Sequence, residues 1–144
     1  MPSEPDFATI HLDRPGIRKV LGDLEAEIME LIWARPAEQG TAVRDIFAIL
    51  YERRKLAYTT IMSTMQRLAR KGLLRVAKQE QAYIYYPVVS QTDFVARFVR
   101  QIVDDLLVSF AGPTLDALAA LGEAAQANRL IAEIARQRAQ EEEA

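Results

Sequence analysis

Cysteine is missing from this 144-residue chain, and its absence removes disulfides, thiolate metal sites and cysteine nucleophiles together. Histidine is nearly missing. The single one, His11, lies in an N-terminal segment interrupted by Pro2, Pro5 and Pro15, so a metal site would need carboxylates alone. No glycine-rich loop that could cradle phosphates is present. Without these parts no nucleophile and base pair can be assembled; the chain is expected not to be an enzyme and to need neither metal nor cofactor. Also lacking is any apolar run near the roughly 18 to 20 residues that span a bilayer. Met1–Ile10 has no basic start followed by an apolar stretch. The expectation is a soluble, cytoplasmic protein with no membrane insertion.

What is there suits a folded chain. Half the residues are hydrophobic and 26% are charged, a balance that buries a core and excludes disorder as the main state. The length fits one ordinary domain, or a compact module followed by a short second unit. The net charge of −2 conceals a segregation. Residues 1–41 and 81–144 each carry a net −4, whereas residues 42–80 hold nine Lys or Arg against Asp45, Glu52 and Glu80, a net +6. Such an island is either the footprint of a polyanion, because each cation near a phosphate releases condensed counterions, or an ordinary solvated face.

Residues 1–20 read as an extended N-terminal arm, flexible by default, with room for a turn of helix near its end. From Leu21 the apolar residues Leu24, Ile28, Leu31 and Ile32 recur at helical spacing, with Asp23 as N-cap and Pro36 as the stop. Thr41 is placed to cap a second helix in which Val43, Ile46, Phe47 and Leu50 share a face up to about Arg53. A third helix, Tyr58 to Lys71, puts Ile61, Met65 and Leu68 on one side and stops at Gly72. The period then switches to two: Leu74, Val76 and Lys78 alternate with Arg75 and Ala77, and Tyr83 to Tyr86 is aromatic and β-branched, which predicts a hairpin around Gln79 to Gln81.

Three helices closed by a hairpin are the winged variant of the helix-turn-helix, whose recognition helix enters the major groove of double-stranded DNA. The fold expected is mainly α with a small β-hairpin: a winged helix-turn-helix domain over residues 21–88, followed by a C-terminal helical dimerisation region over 89–144. On the third helix, the face opposite the apolar one offers Thr59, Thr60, Met62, Ser63 and Gln66 to base edges. Arg67, Arg70 and Lys71 further along, Arg53, Arg54 and Lys55 in the preceding turn, and Lys78 at the hairpin tip are expected to meet phosphates. Tyr58, Tyr83, Tyr85 and Tyr86 read as core and strand surface rather than a stacking platform for single strands. Trp33 reads as part of the seam beside the first helix.

Beyond Pro87, Ser90 with Asp93 marks a helix start, and Phe94, Phe98, Ile102, Leu106 and Phe110 repeat every fourth residue. Gly112–Pro113 breaks the pattern before stretches at 114–121 and 124–140, the latter carrying Leu130 and Ile134. So wide an apolar stripe on a short tail points either to a homodimer or to packing within the chain. Asp104 and Asp105 read as a solvated face.

The segments LEAEIMELIW (24–33), TAVRD (41–45), AYTTIMSTMQRLARKGLL (57–74) and AYIYYP (82–87) resemble the penicillinase-repressor (BlaI/MecI) family over roughly residues 20–140. The resemblance implies a winged-helix transcriptional repressor that dimerises through its C-terminal helices, binds a palindromic operator and reads DNA through the positions of Thr59, Thr60, Met62 and Ser63. Met62 stands where some relatives carry a basic residue. The resemblance also implies a regulatory protease, controlled by a membrane sensor, as a partner; at the aligned place Ala120–Leu121 stands where those repressors have Asn–Phe. A copper-responsive branch ends in a cysteine-rich site, which this chain cannot build. The alternative from another class is a winged-helix interaction module whose basic island meets an acidic protein partner.

Overall fold

The structure is a computed structural model that describes residues 10–143. Of the expected N-terminal arm, residues 1–9 lie outside the described residues; the part that follows forms a 3-10 turn, Gly16–Lys19, which buries Ile17. The chain divides into two compact units, the first ending at Phe98 and the second beginning at Val99. The boundary thus falls ten residues beyond the expected one, because the start of the fourth helix belongs to the first core.

That core is built by three helices, α1 (Asp23–Trp33), α2 (Val43–Arg54) and α3 (Tyr58–Arg70). Ile28, Met29 and Ile32 of α1, Ile46 and Leu50 of α2, and Ile61, Met65 and Leu68 of α3 are all within 1% of complete burial. Each set recurs at three- and four-residue intervals, so each helix turns one apolar stripe inward and removes it from water. On α1 the buried stripe is centred on Ala26 and Met29; Leu24 and Leu31 are only half-buried at its margins.

Both expected caps shift by one residue. Gly22, not Asp23, precedes α1; Glu25 Oε1 accepts the Gly22 N–H at 3.1 Å while Asp23 turns outward to Arg18 at 3.3 Å. At α2 the cap is Ala42, whose N–H donates to Asp45 Oδ2 at 2.9 Å. Thr41 serves instead in a short strand, β1 (Thr41–Ala42), and is buried. In both helices a carboxylate at the third position satisfies a backbone donor that would otherwise lack a partner.

β1 joins the hairpin strands β2 (Leu74–Gln79) and β3 (Ala82–Pro87) in an antiparallel sheet of order β1-β3-β2. Tyr85 is the shared partner, opposite Thr41 on one side and Val76 on the other, while Lys78 faces Tyr83. Glu80, at φ 55°, makes the two-residue turn with Gln81. Gly40 leads into β1 at φ +73°, where an added Cβ would come within 2.5 Å of Ile84 Cγ2 and 2.9 Å of the Tyr86 ring. Only a residue without a side chain lets the chain pass the hairpin this closely.

Ser90 caps α4 (Gln91–Ser109), its Oγ accepting the Asp93 N–H at 3.1 Å. Trp33 Nε1 donates to the Val89 carbonyl at 2.9 Å, and its ring lies 5.5 Å from that of Phe94, which in turn lies 5.8 Å from Phe98. Phe94 and Phe98 are therefore core residues of the first unit.

The second unit holds the remainder of α4 with α5 (Ala111–Ala120) and α6 (Ala124–Glu143). The break falls at Phe110, whose φ of −140° leaves the helical region, rather than at Gly112–Pro113. Pro113 sits in the first turn of α5, where its missing N–H would have had no intrahelical partner. Thr114 Oγ1 donates to the Leu106 carbonyl at 3.2 Å and fastens the corner. None of the described residues from Val99 onward is buried.

Candidate nucleic-acid interface

α3 owes its exposure to its neighbours: α1 and α2 cover one side, through Ile61, Thr64, Met65 and Leu68, and leave the other to solvent. On that outer side Thr59, Thr60, Ser63, Gln66, Arg67 and Arg70 are exposed and Met62 is half-buried. The hydroxyls differ in what they can offer. Ser63 Oγ donates to the Thr59 carbonyl at 2.8 Å, so its lone pairs face outward and it suits a donor such as a cytosine amino group. Thr59 and Thr60 have no side-chain hydrogen bond among the described residues and can both donate and accept. Gln66 presents a complete amide, the group that pairs with adenine.

The cations separate into two classes that sequence reading had joined. Arg53 Nη1 and Arg54 Nη2 reach the same carboxylate, Glu27, at 3.4 and 2.5 Å, and Lys71 Nζ meets Glu25 Oε2 at 2.8 Å. These three are held by acids of α1, which lie outside the basic segment. By contrast Lys55, Arg67, Arg70 and Lys78 have no carboxylate partner among the described residues, and all four are exposed. Lys55 lies 4.6 Å above the Tyr51 ring and Lys78 6.0 Å from the Tyr83 ring centre, contacts that orient a cation without neutralising it.

Two further exposed and uncompensated cations, Arg44 and Arg75, were absent from the residues expected to meet DNA. Arg75 lies over the Tyr86 ring at 4.2 Å. Arg44 lines a cleft between α3 and the hairpin, together with Tyr58, Met62, Gln66, Gln81 and Tyr83. The only signal for Arg44 was its position in the first turn of α2, because what assembles the cleft is the long-range pairing of β1 with β3. Burial first, and then the neighbouring phenols of Tyr58 and Tyr83, hold the Tyr85 hydroxyl above its ordinary pKa.

The residues expected at a dimer contact do not share one environment. Phe94 and Phe98 are enclosed in the first unit; Ile102 is half-buried, whereas Leu106, Phe110, Leu130 and Ile134 are exposed in the second, Phe110 by 61%. Val108, Leu115, Leu118 and Ile131 add to the exposed apolar surface there.

The penicillinase repressor family model matches residues 21–140. Two curated relatives named Transcriptional regulator BlaI, from Mycobacterium tuberculosis strains CDC 1551 / Oshkosh and ATCC 25618 / H37Rv, are each 42% identical over 76 residues, 53% of this chain and 54% of theirs. The chain spans about half the length of the curated relatives it matches. The solution structure of the DNA binding domain of the repressor BlaI is similar at 25% identity, with a TM-score of 0.45 over 51% of this chain and 85% of that domain. Among the described residues no helix is long and apolar enough to cross a membrane.

Proposed function

The chain belongs to the penicillinase repressor family, and on that footing we propose that it is a DNA-binding transcriptional repressor acting in the cytoplasm as a homodimer on a palindromic operator. The observation that carries this reading is the outer side of α3, polar and exposed over three turns, beside a hairpin and flanked by uncompensated cations. A helix of this kind fits the major groove while a wing beside it meets the backbone. Thr59, Thr60, Met62, Ser63 and Gln66 face the bases; Arg67, Arg70, Lys55 and Lys78 face phosphates. Arg53, Arg54 and Lys71 contribute only where a phosphate outcompetes their carboxylates.

The exposed apolar side chains of α5 and α6 support the dimer, since a monomeric soluble chain rarely leaves so much contiguous apolar surface in water. Two copies joined there carry two recognition helices related by a twofold axis, which calls for a twofold-symmetric operator. A regulatory protease would relieve repression by severing the second unit; residues 121–123, all exposed, form the accessible connection between α5 and α6.

The test is selection of bound fragments from the source genome, followed by titration of the selected duplex over a range of salt. The expected result is a palindromic consensus and an affinity that falls with salt at a slope of about −0.9 per phosphate engaged. Failure to enrich any fragment, with capture of an acidic protein instead, would favour the interaction-module reading.

A further inference from the structure

The cleft between α3 and the hairpin has a composition that its position alone does not require. Among the described residues Arg44 is the one charged residue that lines it, and no acid does. The nearest carboxylate on the same helix, Asp45, is turned away to the Ala42 N–H and to Arg35, 3.5 Å from its guanidinium. Two tyrosines line the same space: Tyr58 from the first turn of α3, 44% exposed, and Tyr83 from β3, 58% exposed. Lys78, 6.0 Å from the Tyr83 ring centre, is a second cation beside one of the lining residues. Phenols at such a place are hydrogen-bond donors, and a cation with two neutral donors and no acceptor of its own charge is the complement of an anion.

We propose that this cleft seats a backbone phosphodiester of bound duplex, gripped by Arg44 and by the hydroxyls of Tyr58 and Tyr83. The proposal rests on the reading of the chain as a DNA-binding repressor and adds to it the residues that set the register of α3 on the duplex. The contrast among the cations supports it. Arg53, Arg54 and Lys71 are already held by Glu27 and Glu25, whereas Arg44 offers its full charge. A phosphate fixed between the recognition helix and the wing is bound from two directions at once and so fixes both the depth and the tilt of α3. The cleft also takes in Met62 and Gln66, so the strand that supplies the phosphate runs past the side chains that face the bases.

The experiment uses the full chain and the duplex obtained by selection, with an unrelated duplex of equal length beside it. Arg44→Ala is expected to weaken both by about tenfold and to make the salt slope shallower by about 0.9 per protomer bound, with Arg44→Lys restoring the slope. Tyr58→Phe and Tyr83→Phe, which keep their rings, are expected to lose about threefold each with the slope unchanged, because they remove a neutral donor. A single neutral methylphosphonate walked along the duplex is expected to find one position in each half-site at which the wild type weakens and Arg44→Ala does not. All variants are exposed substitutions and should melt with the wild type.

Wild-type binding that survives Arg44→Ala with its slope intact would overturn the phosphate seat while leaving the repressor reading in place. So would a loss that appears only in variants with a lowered melting temperature. If the wild type binds neither duplex at low salt, the repressor reading itself fails and the seat fails with it.

Discussion

Lys71 at the end of α3 and Glu25 at the start of α1 meet at 2.8 Å, and the second oxygen of the same carboxylate caps the first turn of α1 through the Gly22 N–H. One acid thus ties α3 to the core and closes a helix end. Lys71→Ala is expected to destabilise the first unit by about 1–2 kcal/mol, the range for losing a partly buried charged hydrogen bond. The salt slope of DNA binding should hardly move. Arg70→Ala, whose side chain has no carboxylate partner, should do the reverse: an unchanged denaturation midpoint, with weaker binding to every sequence.

Glu27 holds both Arg53 and Arg54, and on the proposed function it competes with DNA for them. Glu27→Gln removes the competing charge, and binding to unrelated duplex is expected to tighten, with a slope steeper by up to about 1.8 per protomer bound if both arginines then engage phosphates. A titration over salt with wild type and variant side by side reads this directly. An unchanged slope would mean that neither arginine approaches the backbone.

Ser63 has committed its proton to the Thr59 carbonyl. Ser63→Ala should therefore relax discrimination at one base position, by about 0.5–1.5 kcal/mol between the preferred and the next best base, without altering affinity for unrelated duplex. Selection of bound fragments with the variant, compared with those of the wild type, is the measurement.

Phe94 and Ile134 carry opposite expectations although both belong to helical apolar stripes. Phe94 is fully buried against Trp33, and Phe94→Ala is expected to cost the first unit about 3–5 kcal/mol in urea denaturation. Ile134 is exposed, and Ile134→Asp should leave that unit intact while moving the chain toward a monomer in sedimentation.

Periodicity made α1 to α4 legible from sequence because burial is the force that selects these residues: Ile61, Met65 and Leu68 are spaced for one face and are all completely buried. What periodicity cannot report is which surface covers a stripe. Phe94, Phe98, Ile102, Leu106 and Phe110 are equivalent in spacing, yet the first two close the first core and Phe110 ends a helix. β1 escaped notice because two residues have no alternation to read, and its pairing with Tyr85 and Ile84 is set some forty residues away. Separations of 26 to 46 residues hid the acids that hold Arg53, Arg54 and Lys71, and with them the distinction of Arg44.

Gly40 offers a sharper test of the sheet. Gly40→Ala places a methyl group 2.5 Å from Ile84 Cγ2 at a φ of +73°, so strain and overpacking add. A loss of about 2–4 kcal/mol is expected by denaturation, and because the hairpin must shift, Arg44 and Tyr83 should separate and DNA affinity fall more than stability alone explains.

The second unit has no interior: every described side chain from Val99 onward keeps contact with solvent. A segment without an interior has no melting temperature of its own; on the proposed pairing, its order depends on how many copies are dissolved together. Promoter occupancy would then rise faster than the number of molecules made, and dilution alone, as at cell division, would release DNA without any inducer.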